Sequence, residues 1–419
     1  MNKERRIRFI RWQIESLKEG GFRILLRKLW ILLKILCEFL IALMFLPAIV
    51  IVRLLRPIVL IRFGLLKCQR IGHFAMNTEL YLCERDIGLQ PQNAIDIFYN
   101  YDRRNISNYQ LQKMWGRILR THAAARYLFL ANRMLPGRKR HEVQWPSDLD
   151  TNSSLYRART HLFFTPDEER AGRRALEDLG IRDGEPFVCF HVRDDSYLNA
   201  LIRNEWSYHN YRDSSIDNII PAVIELARRG YFAVRMGSVC KEGLAAGGDR
   251  IIDYAKRGRT DFLDVYLPSR CRFFLGTTAG IISVAAIFRR PIAFCNSIPL
   301  EYMINCGVEG VFIPKKLWLR KEKRFMTLDE ILRSGAGRFI HSEGYEKMGI
   351  EVIENSPEEI TALVAEMDER LNERWRSCEE DGGLYAKFLA VCRPYLRRRE
   401  IVPRIGTDFL RKKREFVER

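Results

Sequence analysis

Two polar segments, each directly after an apolar stretch, contain residue types that could bind an anion and move a proton. The first, 191–197 (HVRDDSY), follows the run FVCF and contains His191, Arg193, Asp194 and Asp195. An arginine fork suits phosphate oxygens, and a neighbouring aspartate could orient it or accept a proton from a hydroxyl. A surface Arg–Asp pair is the structural alternative, but a loop after a buried strand favours function. The second segment, with Arg235 and Gly237, is evenly balanced between function and an ordinary strand end.

A third segment is a turn of small residues between an apolar run and a short helix. Small residues let backbone N–H groups approach an anion, while hydroxyls and a helix N-terminus add donors. No lysine follows the last glycine, so the turn is not a Walker loop. Three such loops together suit a diphosphate better than any one alone. The residues of this turn that we single out are Gly276, Thr277, Thr278 and Gly280.

Other polar residues could complete such a site. Tyr254 could stack on a base, and Asp253 and Asp264 could bond a sugar or base, although a solvated helix face is the structural alternative. His73 begins a helix and is a candidate general base because histidine titrates near neutrality. A histidine in that position more often has only a structural role. Its neighbours on the same segment are Gly72, Asn77 and Glu79.

The elements that must position these residues alternate between strand and helix. Apolar runs 187–190, 231–236, 273–275 and 291–295 predict strands, and helical stretches between them indicate a parallel sheet. Ligands of such sheets bind beyond the carboxyl ends of the strands. We expect a capping box at Thr165, and a helix that opens at Ser214 and is kinked at Pro221. In the first half, 58–63 and 94–99 are strand candidates.

Chain length and cysteine spacing limit the number of domains, the kinds of metal site and the redox compartment. The 419 residues predict two domains, or three. The ten cysteines include no C-x-x-C pair, which disfavours a structural zinc site and favours a reducing compartment.

The net charge of +18 is concentrated at the two ends of the chain. Residues 1–70 hold 15 Lys/Arg and 4 Asp/Glu, residues 393–419 hold 10 and 4, and residues 71–392 hold 45 and 44. A nucleic-acid reader more often has a basic face on its folded domain, so we expect no nucleic-acid partner. Basic ends beside an apolar run favour an anionic membrane surface.

That apolar run, residues 39–52 (FLIALMFLPAIVIV), carries no charge but contains Pro47. A spanning helix needs about 20 apolar residues, so the run is borderline even if it extends back to Ile35 through Glu38. Basic residues on both flanks favour an in-plane or re-entrant anchor whose ends stay on one side. A buried core helix and a single span remain alternatives, whereas the segment does not fit a signal peptide.

An ordered set of motifs carries a family resemblance. In chain order they are Gly72-His73 with Asn77–Tyr81, His191–Asp194, Tyr211-Arg212, Arg235–Gly237, Asp261–Asp264, Gly276–Gly280 and Arg404–Leu410. Over residues 58–410 the chain resembles a bacterial family of predicted glycosyltransferases found with surface-polysaccharide genes. More distantly, the second half is similar to GDP-fucose-type fucosyltransferases. Their His-x-Arg-x-x-Asp signature is matched by His191 and Arg193, with Ser196 in the place of the last aspartate.

The resemblance implies a GT-B-like α/β fold of two Rossmann-like domains facing a cleft. We expect a membrane-associating segment over 1–56, an acceptor domain over 57–160 and a nucleotide-sugar donor domain over 161–355. Residues 356–419 would form C-terminal helices and a basic tail that could pack back on the acceptor domain.

The implied activity is transfer of a sugar from a nucleotide-sugar to a hydroxyl of a lipid-linked or cell-surface glycan, without a metal or cofactor. His73, Asp194 or Asp195 would take the acceptor's proton, and Gly72, Asn77 and Glu79 would lie on the acceptor side. The other selected residues would bind the donor, and the enzyme would sit at the cytoplasmic face of the bacterial inner membrane. The alternative is a catalytically inactive membrane-peripheral scaffold of the same fold.

Overall fold

The chain forms two compact units in the computed structural model, which describes residues 3–100, 105–146, 150, 152–193, 207–237, 244, 248–397 and 403–418. The side chains of residues 3–21, 23 and 207–209 lie outside this description. Unit 1 comprises residues 1–66, 93–101 and 119–144, and unit 2 comprises 67–92, 102–118 and 145–419. The boundaries expected at 57, 161 and 356 do not coincide with this division. The physical reason is that the helix after residue 70 buries Leu80 and Cys83 in the core of unit 2.

Unit 1 is built on a two-stranded parallel sheet that pairs Leu60 with Ala94. Its small core contains Ile49, Phe63 and Tyr99. In the described residues this sheet is smaller than the Rossmann-like domain expected from the sequence. Its elements are α1 (Lys3–Met44), α2 (Leu46–Leu54), β1 (Leu60–Leu65), β2 (Ala94–Tyr99) and α5 (Ala125–Arg133).

Unit 2 contains a seven-stranded sheet in the order β12-β8-β7-β6-β3-β4-β5, in which every pairing is parallel. The predicted parallel α/β arrangement is therefore confirmed. A smaller antiparallel sheet has the order β10-β9-β11. The strands are β3 (Phe187–His191), β4 (Phe232–Arg235), β5 (Ile251–Ile252), β6 (Phe274–Gly276), β7 (Ile292–Ser297), β8 (Gly310–Pro314), β9 (Lys316–Leu319), β10 (Arg324–Phe325), β11 (Ile350–Ile353) and β12 (Pro403–Ile405).

Helices accompany this sheet and complete its core. The described helices of unit 2 are α3 (Ile71–Asp86), α4 (Tyr109–Gly116), α6 (Ser154–Arg157), α7 (Pro166–Asp178), α8 (Ile220–Arg228), α9 (Leu263–Arg270), α10 (Ile282–Ile287), α11 (Leu300–Ile304), α12 (Leu328–Arg333), α13 (Ser342–Lys347), α14 (Pro357–Leu371), α15 (Glu379–Cys392) and α16 (Thr407–Lys412). The central strands are fully buried, as their continuous apolar runs predict.

Local sequence signals explain where two of these helices begin. Thr165 and Glu168 form the predicted capping box of α7, which satisfies backbone donors at both positions. The expectation for the next helix was wrong, because α8 begins at Ile220 rather than near Ser214. Pro221 therefore lies in the first turn, where its missing N–H costs no helical hydrogen bond, and it does not kink the helix.

The strand order creates a switch point between β3 and β6. From β3 the chain proceeds outward through β4 and β5, then returns to the other side of β3 as β6 and continues through β7 and β8. The loops that leave β3 and β6 therefore diverge in opposite directions. Such a point leaves a crevice at the carboxyl ends of the two strands, where ligands of parallel sheets bind.

In unit 1, a bend interrupts the apolar N-terminal helices. Residues 24–44 and Leu46–Leu54 meet at an angle of 46°. Pro47 lies in the first turn of α2, where it cannot continue the hydrogen-bond ladder of α1. Over the described residues, neither helix by itself has the length and apolar content of a membrane span, although the bent pair together does.

Candidate functional site

The strand exits at the switch point are joined by direct hydrogen bonds. The backbone N–H of Arg193, just beyond β3, donates to Thr277 Oγ1 at 3.1 Å, and His191 Nδ1 lies 2.9 Å from the carbonyl oxygen of Met236. A Cβ on Gly276 would lie 2.7 Å from the carbonyl oxygen of His191, so only glycine lets the two strands approach this closely. The exits of β3, β4 and β6 are thus brought together, as the sequence predicted.

Arg193 is held on three sides at this position. Its carbonyl oxygen accepts from the N–H of Ser214 at 3.0 Å, and its Nε donates to Asp213 Oδ1 at 3.2 Å. The arginine side chain is 13% exposed. A guanidinium fixed at a strand exit yet reachable from solvent can present its remaining N–H groups to an anion.

Arg212 lies beside Arg193, although sequence analysis treated it only as part of a Tyr-Arg motif. It ends a short 3-10 helix, Ser207–Arg212, and its Nη2 donates to the carbonyl oxygen of Thr278 at 2.6 Å. Its Nε is buried and has no hydrogen-bond partner among the described residues. Burial lowers the pKa of Arg212, and the positive charge of Arg193 lowers it further. Two neighbouring guanidiniums with an unsatisfied buried donor favour a bound anion.

Lys315 is a third cation that sequence analysis missed. It follows β8 directly and is 5% exposed, and its Nζ donates to the carbonyl oxygen of Asp213 at 2.5 Å. Burial lowers the pKa of Lys315, with a smaller lowering by Arg193 and opposing effects of Glu354 and Asp213. Lys315 also lines a small surface crevice together with Ser297 and Tyr345. Its position just after a buried apolar strand was the available signal, the same one that identified Arg193.

We call Arg193, Arg212 and Lys315 the cationic cluster. Asp213 contacts two of its members directly, and Glu354 is close enough to raise the pKa of Lys315. Glu354 is also engaged by Asn218 Nδ2 at 2.9 Å. Three cations at the switch point of a parallel sheet form a site suited to a strongly charged anion.

Arg235 has a different role from the one expected. It is 5% exposed, and its Nη1 lies 3.4 Å from Asp253 Oδ2. The ion pair joins the exits of β4 and β5. Gly237 has a φ of 151°, a backbone conformation that favours glycine. Arg235 and Asp253, which were predicted to contact the donor, form a buried pair in this structure, and Asp253 Oδ1 has no hydrogen-bond partner in the described part of the chain.

Tyr254 and Asp264 are also structural. Tyr254 is fully buried, so its ring offers no face to a base, and its hydroxyl lies 3.3 Å from Asp264 Oδ1. Arg259 binds the other carboxylate oxygen of Asp264. Burial raises the pKa of Asp264 to about 6, while Arg259 opposes the rise. These contacts replace the predicted stacking and sugar-binding roles.

The hydroxyls of the 276–280 turn are committed to the protein. Thr277 is fully buried, and its Oγ1 accepts from Arg193, while Thr278 Oγ1 donates to the carbonyl oxygen of Ile298 at 3.2 Å. The helix that follows, α10, has only six residues. The turn therefore positions Arg193 and Arg212 instead of offering its hydroxyls to an anion.

Of the residues predicted for the acceptor side and for catalysis, Gly72, His73 and Asn77 lie at the start of α3, near the 276–280 turn. Gly72 contacts Gly280, since a Cβ on Gly72 would lie 2.9 Å from Gly280 Cα, and this contact brings the start of α3 to the 276–280 turn. His73 Nδ1 lies 3.1 Å from Asn77 Oδ1. Because a carbonyl oxygen only accepts, Nδ1 carries the proton and Nε2 is the basic nitrogen. Asp194 and Asp195 lie outside the described residues.

Glu79 belongs to a buried cluster rather than to an acceptor site. It is fully buried, and its carboxylate accepts from Arg289 Nη2 at 2.8 Å and contacts His161 Nδ1 at 3.2 Å. Burial lowers the pKa of His161, but the hydrogen bonds and charges of Glu79 and Asp86 together more than offset this and raise it. The carboxylate of Glu79, which was predicted to lie on the acceptor side, is thus enclosed by protein partners in this structure.

The same cluster has the composition of a metal site. Ligand atoms of Glu79, Cys83 and His161 lie within 4.8 Å of one another. However, Arg289 Nη2 also lies 3.4 Å from Cys83 Sγ, so a guanidinium already neutralises the position that a cation would take. Burial raises the pKa of the Cys83 thiol well above its ordinary value, which keeps it protonated and a poor ligand. These residues do not fit a metal ion.

Comparison with known proteins leaves the family open. No family model and no curated protein matches the sequence. A glycosyl transferase family 9 structure from Veillonella parvula has a TM-score of 0.43 at 10% identity, covering 76% of this chain and 98% of its own. The E. coli ADP-heptose LPS heptosyltransferase II has a TM-score of 0.32 at 14% identity, covering 56% and 84%. Both similarities are too low to assign a family or a function.

Proposed function

We propose that this protein is a glycosyltransferase that uses a nucleotide-sugar donor, whose diphosphate binds at the cationic cluster. The observation that carries the proposal is the buried Nε of Arg212 beside Arg193, which has no hydrogen-bond partner within the described part of the chain. A buried donor without a partner costs about 1–3 kcal/mol, and two adjacent like charges add to that cost. A diphosphate bound between them would offset both.

The chemistry of glycosyl transfer explains why such a cluster is useful. As the bond between the anomeric carbon and the phosphate oxygen breaks, negative charge grows on the leaving diphosphate. Fixed cations stabilise that charge in the transition state more than in the ground state, which lowers the barrier. In this proposal Arg193, Arg212 and Lys315 supply the stabilisation that a metal ion supplies in other transferases.

Transfer also requires a base for the acceptor hydroxyl. His73 is one candidate, because its Nδ1 donates to Asn77 and the contact of Gly72 with Gly280 brings the start of α3 to the site. Asp194 and Asp195, which follow Arg193 in the sequence, are the other candidates. We further propose a hexosyl or deoxyhexosyl donor and a lipid-linked or cell-surface glycan as the acceptor, which rests on the sequence resemblance.

Binding of a donor panel tests the proposal. We expect one or more nucleoside diphosphate sugars to raise the melting temperature of the full-length protein, and a nucleoside monophosphate sugar, which lacks the second phosphate, to have no effect. The variant Arg193→Ala should lose the shift. The matched control Arg333→Ala, at a surface arginine that pairs with Asp329 at 2.8 Å, should retain it. Absence of any shift across the panel, or an undiminished shift in Arg193→Ala, would overturn the proposal.

A further inference from the structure

The first described side chains of the protein form an apolar surface that the rest of unit 1 does not cover. Along α1, apolar side chains are exposed in succession, with Leu29 at 52%, Trp30 at 69% and Leu36 at 53%. The exposed series continues to Met44, the last residue of α1, at 79%, and past the bend to Leu54 at 74%. An apolar surface of this length is far larger than a soluble monomer normally presents to water.

Between residues 24 and 44 of α1, three of the charged residues share one face of the helix, and Lys28 lies at its edge. Arg27, Lys34 and Glu38 are separated by seven and four residues, which places them on one face. Leu25, Leu29, Leu32, Leu36, Leu40 and Leu43 recur at three- and four-residue intervals on the opposite face. A helix with a basic polar face and a broad leucine face is typical of segments that lie in the plane of a membrane interface.

Two polar contacts fix how this segment can meet a bilayer. Glu38, within α1, pairs with Arg126 of α5 at 2.5 Å. Arg53, at the end of α2, donates to Asn132 Oδ1 at 2.7 Å and to the carbonyl oxygen of Pro136 at 2.6 Å. Both ends of the uncharged run 39–52 are therefore tied to one helix of nine residues and the turn after it. That helix is only about 13 Å long, whereas the hydrocarbon core is about 30 Å thick.

Neither the run 39–52 nor the part of α1 that precedes it can cross the bilayer. The run between the two tethers must return to the side from which it entered. The part of α1 from residue 24 to Glu38 contains Arg27, Lys28 and Lys34, and its 15 residues would extend only about 22 Å. Charges inside a span that is already too short make crossing unfavourable.

We propose that α1 and α2 form an in-plane anchor that inserts the leucine face of α1 and the outer face of α2 into one leaflet of an anionic membrane. Ile49 and Phe45 hold the inner face of α2 on the core of unit 1, while Val50 and Ile51 remain exposed on the outer face. Arg27 and Lys34 lie at the level of the lipid phosphates. This inference is independent of the proposed glycosyl transfer, since it uses only residues of unit 1.

Vesicle flotation of the full-length protein tests the partner. We expect binding to phosphatidylcholine vesicles that contain phosphatidylglycerol, and weaker binding to phosphatidylcholine alone or at high salt. Leu29→Glu with Leu36→Glu should weaken binding about tenfold or more. The matched control is Leu89→Glu with Ile340→Glu, at side chains that are 51% and 58% exposed on other elements, and it should bind like the wild type.

Fluorescence quenching by brominated lipids tests the topology. Because the chain contains seven tryptophans, a fluorescent amino acid that is excited outside the tryptophan band is incorporated at position 39. It reports the depth of the residue that would lie near the centre of a span. We expect stronger quenching by bromines near the headgroups than by bromines near the bilayer centre. The opposite order would overturn the in-plane arrangement. Unimpaired flotation of the double glutamate variant, or a lipid-free wild-type dimer that this variant converts to monomers while vesicles bind neither form, would overturn the membrane assignment.

Discussion

Gly72 and Gly280 touch each other through their backbones, although they are 208 positions apart and were selected for two different sites. A Cβ on Gly72 would lie 2.9 Å from Gly280 Cα, and a Cβ on Gly280 would lie 3.2 Å from the nitrogen of Gly72. The start of α3 is thus packed against the turn whose Thr277 holds Arg193. This contact links the candidate base His73 to the cationic cluster through rigid backbone.

Replacing Gly72 with alanine should therefore disturb both stability and the site. The new methyl group would meet backbone atoms of Gly280, which cannot rotate away, so we expect a loss of about 1–3 kcal/mol in the free energy of unfolding. Urea unfolding measures the loss. As a control, Gly382→Ala in α15 meets no atom within 4 Å, and it should stabilise the protein by about 0.5–1 kcal/mol because alanine favours the helix. Equal effects of the two substitutions would contradict the close contact.

Arg212 should be more important for donor binding than for folding. Its charge is buried beside Arg193, and its Nε lacks a partner in the described residues, so the folded protein gains little from it. For Arg212→Met we expect a free energy of unfolding within about 1 kcal/mol of the wild type or above it. We also expect transfer activity to fall about 100-fold or more, because one donor to the developing negative charge is lost.

Arg289→Met provides the contrast for this prediction. Arg289 is bound to the buried carboxylate of Glu79 at 2.8 Å, so its removal leaves an unpaired charge and should cost about 3–5 kcal/mol. Urea unfolding of Arg212→Met and Arg289→Met compares their stabilities. Titration of the donor into Arg212→Met measures the loss of donor binding. If Arg212→Met unfolds as easily as Arg289→Met, Arg212 is a structural residue and the site is misplaced.

The sequence predicts the sheet and part of the site because both depend on local patterns. Continuous apolar runs such as Phe187–Phe190 indicate buried strands, and the carboxyl ends of parallel strands must share an edge. The sequence therefore predicted that Arg193 and the turn that begins at Gly276 lie close together, and in the structure the two are joined by a hydrogen bond. Strand order is not a local property, so the sequence could not show that β6 lies next to β3 whereas β4 and β5 lie on the other side.

Three residues of the predicted site are more enclosed in the structure than their sequence pattern indicates. Tyr254, Asp264 and Glu79 are polar residues near strand ends or on helices, and a sequence pattern cannot show whether such a residue is enclosed. Glu79 is buried by Arg289, a residue 210 positions away. The importance of Arg212 was not predicted, because Arg212 lies on a short 3-10 helix whose sequence has no periodic pattern.

Asp264 should give the protein a pH dependence that Asp264→Asn lacks. Burial raises the pKa of Asp264 from 3.8 to about 6, so the folded state binds this proton more tightly than the unfolded chain does. Its contribution to stability is fully present below pH 3.8 and is lost as the pH rises through about 6. Between these values the free energy of unfolding of the wild type should fall, relative to Asp264→Asn, by at most about 3 kcal/mol.

Urea unfolding between the two pH limits measures this difference, and Asp381→Asn is the control. Arg411 lowers the pKa of Asp381 to about 2, so the stability that Asp381 contributes is present above pH 3.8 and is lost only as the pH falls through about 2. The difference between the wild type and Asp381→Asn should therefore stay constant over the same range. If the difference between the wild type and Asp264→Asn were also constant, the carboxyl of Asp264 in the folded wild type would be ionised over the whole pH range.

Glu79 should behave as a structural residue rather than as a metal ligand or acceptor contact. Its fully buried carboxylate binds Arg289 and His161, and Glu79→Gln removes the charge that balances the guanidinium. We expect a loss of about 3–5 kcal/mol in the free energy of unfolding. The exposed pair of Glu343 with Lys347 provides the control, since Glu343→Gln should change stability by less than about 1 kcal/mol.

A chelator should leave the unfolding curve of the wild type unchanged, because Arg289 already occupies the cluster. A lowered melting temperature in the chelator, restored by added zinc, would instead assign these residues to a metal.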